Sequence, residues 1–545
     1  MKIAVAQLNY LIGDFEGNVK KMRSYTETAK AQGADIIVFG ELATCGYPPR
    51  DFLEFRDFIR RAEESIEHIK NFSSGICIIV GSPTVNMVPE GKDLYNSVYL
   101  IADGEVQHVQ HKALLPTYDV FDEYRYFEPA SEFRTCMYKG KRIAMTVCED
   151  IWDVAQENPL YTVCPLDEMQ KEKPDFIVNV SASPFNYRHA EARIDILKAN
   201  VDRYEIPMFY CNHVGAQTEL IFDGGSLVVA PNGVVHREMP YFRESMELFD
   251  LAEVSTGRSS SIQAKDDISE IHDAIVLGIK DYFDKLGFRR AILGLSGGID
   301  SAVTAVLAQR ALGKDNVRVL LMPSQFSSDH SVNDARDLAE NLGIQYDIIA
   351  IKEVYEAFMG KLGTHFEGLP FNVTEENIQA RVRGTLLMSF SNKFGNILLN
   401  TSNKSEMAVG YGTLYGDLAG GISVLGDVYK TQVFALARHI NKAGIVIPEN
   451  SITKPPSAEL RPDQKDSDSL PDYDILDEIL FEYIENRKGP QEIMAMGHDE
   501  ALVARILKMV NRNEFKRYQT APVLRVSSKA FGMGRRLPIV GRYLT

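Results

Sequence analysis

Short β-branched runs alternate with amphipathic stretches along the first 255 residues of the chain. Apolar helical spacing predicts helices over 18–32, 53–70 and 189–204. Asp103-Gly104 and Asn232-Gly233 are typical of tight hairpin turns. Alternating or continuous apolar runs predict strands over 3–8, 36–41, 76–81, 98–102, 143–148, 176–180, 208–211 and 227–230. The pattern predicts an α/β domain in which sheets are covered by helices.

A polar segment without periodicity, residues 256–270, predicts a linker between two domains at 1–255 and 271–545. Beyond it the pattern predicts a helix from 375 with Thr374 as N-cap. It also predicts strands over 317–322, 346–351 and 396–400, with a helix over 330–342 between the first two. Such alternation is typical of parallel strands joined by crossover helices, which is the doubly wound α/β class.

Composition narrows the possible functions. The chain has 545 residues, enough for two large domains, and a formal net charge of −16. That charge argues against wholesale nucleic-acid binding, because a polyanion would be repelled. The six cysteines lack C-x-x-C spacing, which favours neither a zinc site nor a disulfide framework. No apolar run reaches about 18 residues and the N-terminus reads as a strand, so we expect a cytoplasmic protein without a membrane span.

An apolar run breaks into glycines near its end and restarts as a helical pattern, which predicts a strand, a tight turn and a helix. The glycines let the backbone approach a ligand, and the free N–H groups and hydroxyls of the turn suit a phosphate. The turn reads Gly294-Leu295-Ser296-Gly297-Gly298-Ile299-Asp300-Ser301. By itself it also fits the G-x-S-x-G nucleophile elbow of the α/β-hydrolases, with Ser296 as nucleophile, or a plain tight connection.

Asp300 and Ser301 favour the phosphate interpretation, because a hydrolase elbow has no use for a carboxylate and a second hydroxyl at the helix start. Glu406, just past a predicted strand, offers a second carboxylate, and the pair is enough for Mg²⁺ on ATP phosphates. The string 296–301 resembles the pyrophosphate loop of the ATP pyrophosphatases, which cleave ATP between its α and β phosphates and adenylate a substrate.

Glu41, Lys112 and Cys148 lie at strand ends or just beyond them, where α/β proteins build sites. Alone, the thiol is typical of a small buried hydrophobe, and the two charged residues are typical of solvated side chains. Together they indicate nucleophilic catalysis. A cysteine beside a lysine can have a lowered pKa, and a carboxylate can pass the thiol proton to a leaving amine.

In their sequence contexts these three residues resemble the Glu-Lys-Cys triad of the nitrilase and amidase superfamily. The resemblance implies a four-layer α-β-β-α sandwich. It also implies that Cys148 attacks an amide carbon to form a thioester and that Glu41 is the general base and acid. Lys112 would stabilise the oxyanion and the thiolate.

A resemblance to the glutaminase members of that superfamily also implies a glutamine pocket. Tyr118 and Ser183 resemble their glutamine-contacting residues, with ordinary loop residues as the alternative. Arg188 and His189 occupy the neighbourhood of the usual lysine, and either one is a candidate for the glutamine contact. Glu123 is either an auxiliary carboxylate of the site or a capping or surface residue.

Five strings of the second half resemble, in order, the NAD synthetase family: 296–301, 376–381, 401–406, 427–432 and 455–460. The resemblance implies that residues 294–301 hold the phosphates of ATP, that Thr401 contacts ATP, and that Lys430 neutralises charge developing on phosphate. Mg²⁺ would be bound by Asp300 and Glu406. The dinucleotide substrate would contact Asn377, Arg381, Glu406 and Lys516.

The acidic segment 455–471 has no regular pattern. It is either a flap ordered by substrate or a solvated loop, and we favour the flap because such lids exclude water from a reactive adenylate.

Taken with its amidase-like first half, the whole chain resembles the glutamine-dependent members of the NAD synthetase family. That implies ATP-dependent amidation of nicotinate adenine dinucleotide (deamido-NAD) to NAD through an adenylated intermediate. Ammonia would come from glutamine through a protected channel, and AMP, pyrophosphate and glutamate would be released. The synthetase domains of the family form dimers, so we expect a homo-oligomer. Two alternatives stay open: an amidotransferase acting on a nucleotide base or an aspartate, and a non-enzymatic nucleotide-sensing scaffold.

Overall fold

The computed structural model describes residues 1–154, 160–258, 266–462 and 464–544. Contacts divide the chain into two units, Met1–Lys265 and Asp266–Thr545. Residues 259–265 of the predicted linker lie outside the described residues. The first helix of the second unit begins at Asp267 and so takes in the last four residues of that segment.

The described elements of the first unit run in chain order as follows. The strands are β1 (Lys2–Gln7), β2 (Ile36–Val38), β3 (Cys77–Val85), β4 (Leu94–Ala102), β5 (Glu105–His111), β6 (Cys136–Tyr138), β7 (Lys141–Val147), β8 (Phe176–Val180), β9 (Met208–Cys211), β10 (Val214–Gln217), β11 (Leu220–Asp223), β12 (Leu227–Val229), β13 (Val235–Glu238) and β14 (Ser245–Asp250). The helices are α1 (Phe15–Ala31), α2 (Arg56–Lys70), α3 (Pro165–Gln170), α4 (His189–Tyr204) and α5 (Leu251–Val254).

Two six-stranded sheets form the centre of this unit, in the orders β14-β1-β2-β3-β4-β5 and β13-β12-β9-β8-β7-β6. Val5 and Ile79 of the first sheet and Val178 of the second share one apolar cluster, so the sheets pack face to face. Helices α1 and α2 pack on the other face of the first sheet, and α3 and α4 on that of the second. The arrangement confirms the predicted α-β-β-α sandwich.

All eight strands predicted in this unit are present, with bounds that differ by a few residues. The Asp103-Gly104 turn joins β4 to β5, with φ angles of +53° and +83°. The sequence pattern missed β5 itself, because an edge strand that is half exposed carries mostly polar residues. Short antiparallel strands such as β13 and β14 were missed for the same reason.

The described strands of the second unit are β15 (Ala291–Gly294), β16 (Val317–Leu321), β17 (Gln345–Ile348), β18 (Ile397–Asn400) and β19 (Ile422–Ser423). Its helices are α6 (Asp267–Leu286), α7 (Ile299–Leu312), α8 (Asp329–Leu342), α9 (Lys352–Phe366), α10 (Val373–Phe394), α11 (Lys404–Val409), α12 (Lys430–Ile440), α13 (Glu449–Thr453), α14 (Tyr473–Ile484), α15 (Pro490–Ala495), α16 (Glu500–Arg512) and α17 (Glu514–Arg517).

These five strands form one parallel sheet in the order β17-β16-β15-β18-β19. Ile292 and Leu320 of the sheet pack against Val382 of α10, and α7 packs against β15 and β16. The strand order reverses direction between β15 and β18, and open α/β sheets bind ligands at the carboxyl end of such a switch point. The doubly wound prediction is confirmed, and the phosphate turn follows β15.

Helix α10 does not begin where the sequence placed it. Its N-cap is Asn372, whose side chain accepts a hydrogen bond from the amide of Thr374, so the predicted N-cap Thr374 was wrong. Glu375 completes a capping box with Asn372, since its Oε2 accepts from the amide of Asn372 at 2.9 Å. No helix within the described residues is long and apolar enough to cross a membrane.

Candidate active sites

Glu41 and Lys112 meet in the interior of the first unit, just beyond the ends of β2 and β5. Lys112 Nζ donates to Glu41 Oε1 at 2.8 Å, and both side chains are fully buried. Asn96 Nδ2 donates to the same Glu41 oxygen at 2.7 Å, and the amide of Ala182 donates to Oε2 at 3.0 Å. Both oxygens of this carboxylate are therefore held in place.

Glu123 is the second carboxylate on Lys112, a role the sequence left open. Lys112 Nζ lies 2.9 and 2.8 Å from its two carboxylate oxygens, and Tyr47 Oη donates to Oε1 at 2.8 Å. Burial opposes the charge on Lys112, but Glu123 and Glu41 outweigh it and hold the pKa of the lysine well above its usual range. Lys112 is therefore a fixed buried cation.

Cys148 follows β7 and begins a single 3-10 turn, Cys148–Ile151, with a φ of +43° that is rare for a non-glycine residue. Asp150 supports the turn, since Oδ2 accepts from the amide of Val147 at 3.0 Å and Oδ1 from the amide of Ala113 at 2.9 Å. A backbone conformation of this kind, fixed by neighbouring groups, gives the thiol one defined direction.

The pKa of the Cys148 thiol differs from the sequence expectation. Burial and the neighbouring Glu41 raise it well above its usual range, and Lys112 lowers it by less. Burial dominates because it penalises the charged thiolate. The resting thiol is protonated, so catalysis at this cysteine requires a base.

Glu149, which the sequence alone does not distinguish from a framework residue, lies next to Cys148 and is buried. Its Oε1 accepts from Tyr118 Oη at 2.8 Å and from Tyr161 Oη at 3.2 Å. Burial raises the pKa of Glu149 to about 7, although the tyrosine hydrogen bonds favour the charged form. Tyr118 is thereby tied to the residue that follows Cys148.

Ser183 and His189 contact each other, with Ser183 Oγ 3.0 Å from His189 Nε2. His189 begins α4, and its ring stacks on Trp152 with the centroids 5.1 Å apart. Arg188 is exposed, and its guanidinium lies 5.6 Å from the ring of Tyr187. The geometry favours His189 as the basic residue beside Ser183.

The phosphate turn of the second unit is held by its own hydroxyls. Ser301 Oγ donates to the carbonyl of Gly298 at 3.0 Å and lies 3.1 Å from Ser296 Oγ, which accepts from the amide of Gly298 at 3.2 Å. Gly297 has a φ of +80°, and a Cβ there would lie 2.2 Å from the carbonyl oxygen of Ser331. Only glycine fits at this position.

Asp300, Lys430 and Glu406 form a charged group beside this turn. Lys430 Nζ lies 2.5 Å from Asp300 Oδ2 and 3.8 Å from Glu406 Oε1, and Asn403 Nδ2 donates to Asp300 Oδ1 at 2.9 Å. Burial and Asp300 raise the pKa of Glu406 to about 8, whereas Lys430 lowers it. The site therefore favours additional positive charge.

A cavity of about 310 Å³ joins these groups. Its wall includes most of the phosphate turn, with Thr401, Glu406 and Lys430, and also residues 455–460 and Asp466 of the acidic segment. Glu459 ties that segment to α8 by accepting from the Ser331 hydroxyl at 2.7 Å. The acidic segment thus forms part of the wall of the cavity at the switch point.

Asn377, Arg381 and Lys516 converge on the loop 410–414 beside that cavity. Lys516 Nζ donates to the carbonyls of Gly410 and Gly412, at 2.8 and 2.9 Å. Asn377 Oδ1 accepts from Thr413 Oγ1 at 2.7 Å, and Arg381 Nε donates to the carbonyl of Leu414 at 3.2 Å. The fold brings together side chains from α10 and α17 that are far apart in sequence.

The carboxylates of Asp300 and Glu406 suit Mg²⁺, which prefers oxygen ligands and keeps several waters or phosphate oxygens. Burial and Asp300 raise the pKa of Glu406, and a cation bound between the two carboxylates would oppose that rise. Within the described parts of the chain, no group of three or more His, Cys, Asp or Glu side chains could hold a metal ion. Phosphate oxygens would therefore have to complete the coordination.

Comparison with known proteins covers both units. Residues 2–258 match the carbon-nitrogen hydrolase family and residues 271–520 match the NAD synthase family. A glutamine-dependent NAD(+) synthetase of Synechocystis sp. is 44% identical over 546 residues, covering 98% of this chain and 98% of that protein. One from Acinetobacter baylyi is 42% identical, covering 99% and 98%. The structure of a glutamine-dependent NAD+ synthetase from Acinetobacter baumannii in complex with ADP is 38% identical, with a TM-score of 0.79 and coverage of 99% and 98%.

Proposed function

The chain belongs to the glutamine-dependent NAD(+) synthetases, and from that membership we propose that it converts deamido-NAD to NAD at the expense of ATP, with glutamine as the nitrogen donor. The observation that carries the proposal is the presence in one chain of two sites of different chemistry. One is the buried group of Glu41, Lys112 and Cys148, and the other is the cavity beside the phosphate turn.

In the first unit we assign glutamine hydrolysis to the three buried residues. Glu41 takes the thiol proton as Cys148 attacks the amide carbon of glutamine. Lys112 stabilises the oxyanion of the tetrahedral intermediate. When the C–N bond breaks, Glu41 returns the proton to the leaving nitrogen, and ammonia departs. Water, deprotonated by Glu41, then hydrolyses the thioester to glutamate and restores the thiol.

We assign recognition of glutamine to side chains around this thiol. A buried carboxylate whose pKa lies near 7 suits the ammonium group of an amino acid, and Glu149 occupies that position with Tyr118. Ser183 and His189 form a donor pair suited to the α-carboxylate. Arg188, which is exposed, has no part in this assignment.

In the second unit we assign the adenylation of deamido-NAD. The N–H groups and hydroxyls of residues 294–301 hold the phosphates of ATP, Thr401 contacts the nucleotide, and Lys430 neutralises charge that develops as pyrophosphate leaves. Mg²⁺, held by Asp300 and Glu406, would neutralise phosphate charge when bound. The nicotinate carboxylate attacks the α-phosphorus, and ammonia then displaces AMP to leave the amide.

We assign the deamido-NAD contacts to Asn377, Arg381, Glu406 and Lys516, of which three already meet at the loop 410–414.

We further propose a homo-oligomer. Arg381 of α10 is exposed, as are Val373, the first residue of that helix, at 62% and Phe371, just before its N-cap, at 51%, which suits a surface that meets a second copy. The six cysteines are free, which supports the cytoplasm as the compartment.

The proposal is tested by incubating the protein with ATP, Mg²⁺, glutamine and deamido-NAD and following NAD, AMP and glutamate together. Matched formation of NAD and AMP, with glutamate, supports the two-site reaction. Glutamate without NAD would leave the first unit as a glutaminase and assign a different acceptor to the second. ATP binding without release of pyrophosphate would favour the nucleotide-sensing alternative.

A further inference from the structure

Asn212 follows β9 and is fully buried beneath the glutamine site. Its Oδ1 accepts from the amide of Ser183 at 2.9 Å, and its Nδ2 donates to the carbonyl of the same residue at 3.3 Å. One side-chain amide thus holds both backbone groups of Ser183. Such a two-way contact fixes the position and the rotation of that peptide.

The segment held by Asn212 also contacts the catalytic carboxylate. The amide of Ala182 donates to Glu41 Oε2 at 3.0 Å, and the amide of Glu41 donates to the carbonyl of Ser181 at 3.4 Å. His213, the residue after Asn212, also contacts Glu41, with its Nε2 2.7 Å from the carbonyl oxygen of Glu41. A shift of Ser183 would therefore also displace the amide that holds Glu41.

Asn212 is itself anchored by a buried ion pair. Its Nδ2 lies 3.0 Å from the carbonyl oxygen of Gly224 and 3.3 Å from Asp223 Oδ1. Arg193 of α4 donates to both carboxylate oxygens of Asp223, at 2.9 and 3.0 Å, and to the carbonyl of Gly224 at 3.1 Å. None of the three side chains is more than 1% exposed. Hydrogen bonds in such a buried, low-dielectric setting are stronger than in water, so the ion pair holds Asn212 in place.

We propose that Asn212 is a positioning residue for glutamine hydrolysis: by bracketing Ser183, it sets the serine for substrate binding and keeps the Ala182 amide on Glu41. The inference rests on the proposed glutaminase activity of the first unit. Asn212 itself contacts neither the Cys148 thiol nor the bound glutamine. Its effect passes through the backbone of Ser183 and the amide of Ala182, which do reach the site.

Asn212→Asp tests the role with almost no change in volume. The aspartate can still accept from the Ser183 amide, but it cannot donate to the carbonyls of Ser183 and Gly224, and it places a second charge beside Asp223. We expect the KM for glutamine to rise and kcat/KM to fall by up to about 100-fold, the scale of a misplaced substrate contact. Synthesis of NAD from added ammonium should proceed at the wild-type rate, because the second unit is untouched.

Asn18→Asp is the matched control. Asn18 is also buried and also brackets one residue, accepting from the amide of Leu11 at 3.1 Å and donating to its carbonyl at 2.9 Å. This control should keep the wild-type KM for glutamine. If Asn212→Asp does not fold, Asn212→Ser replaces it, since a serine hydroxyl is too short to reach both groups.

Two results would overturn the positioning role. One is an unchanged KM for glutamine with a kcat that falls only in proportion to the folded fraction. The other is an equal rise in KM for Asn18→Asp. The wild-type protein, assayed alongside for glutamate release from glutamine, separates this inference from the proposed function. If the wild type releases no glutamate, the proposed function has failed rather than the role of Asn212.

Discussion

Glu41 Oε1 lies 2.8 Å from Lys112 Nζ, and neither side chain reaches solvent. The lysine is shared with Glu123, so one buried cation faces two carboxylates. Because the pKa of the Cys148 thiol is raised by burial, a thiolate does not preexist at this site. Attack by this thiol therefore requires a nearby base, the role that we propose for Glu41.

Glu41→Gln should lower glutamine-driven NAD synthesis by about 10²–10⁴-fold, because the amide keeps the shape of the side chain but cannot take the thiol proton. Lys112 keeps its pair with Glu123 in this variant. The measurement is the initial rate of NAD formation with glutamine and, separately, with ammonium. A glutamine-driven rate equal to that of the wild type would remove Glu41 from the role of general base.

His189→Ala and Arg188→Ala distinguish two neighbours that the sequence could not separate. We expect His189→Ala to raise the KM for glutamine by roughly 10- to 100-fold, since a hydrogen bond to a charged group contributes about 1.5–3 kcal/mol. Arg188→Ala should leave KM close to the wild-type value because that side chain is exposed. A larger effect at Arg188 would reverse the assignment of the glutamine contact.

Glu149 should make the first unit less stable as the pH rises. Its pKa is raised from 4.5 to about 7, so between these values the unfolded chain releases a proton that the folded protein retains. The free energy of unfolding therefore falls with increasing pH across this window, by up to about 3 kcal/mol. Denaturant unfolding at pH 5 and pH 8 should show a smaller difference for Glu149→Gln than for the wild type. Equal differences for the two proteins would show that Glu149 titrates normally.

Asp300→Asn should lower NAD synthesis by about 10²–10³-fold with either nitrogen source, the scale of losing one group that stabilises developing charge. The substitution removes one of the two carboxylates assigned to Mg²⁺ and the charged partner of Lys430. Asp281→Asn is a suitable control, because Asp281 is buried on α6 of the same unit and lies outside the cavity wall. Normal turnover with Asp300→Asn would contradict the assignment of both the metal and the phosphates.

The parts of the site that the sequence predicted share a local signal. Glu41 and Cys148 each follow a buried strand, and the phosphate turn has glycines and hydroxyls at fixed offsets between a strand and a helix. Lys112 differs, because it follows the half-exposed edge strand β5. Position relative to a strand end can be read from the pattern of apolar residues. The central strands were found for the same reason, because both of their faces are buried.

The parts that the sequence did not predict depend on contacts between distant segments. Nothing around Glu149 distinguishes it from a framework residue until Tyr118 and Tyr161 are placed on its carboxylate. Asn212 likewise carries no pattern, because its bracket on Ser183 joins residues 29 apart. The raised pKa of Cys148 reflects the extent of burial, which a neighbouring lysine in the sequence does not reveal.

The most direct test of two separate chemical sites in one chain is the rate of NAD formation by Cys148→Ala, measured with glutamine and then with added ammonium. We expect no detectable NAD and no glutamate from glutamine, because the thioester cannot form without the thiol. We expect a wild-type rate with ammonium, because the second unit needs only the nitrogen. Loss of the ammonium-driven rate in a folded Cys148→Ala protein would contradict the separation of the two sites.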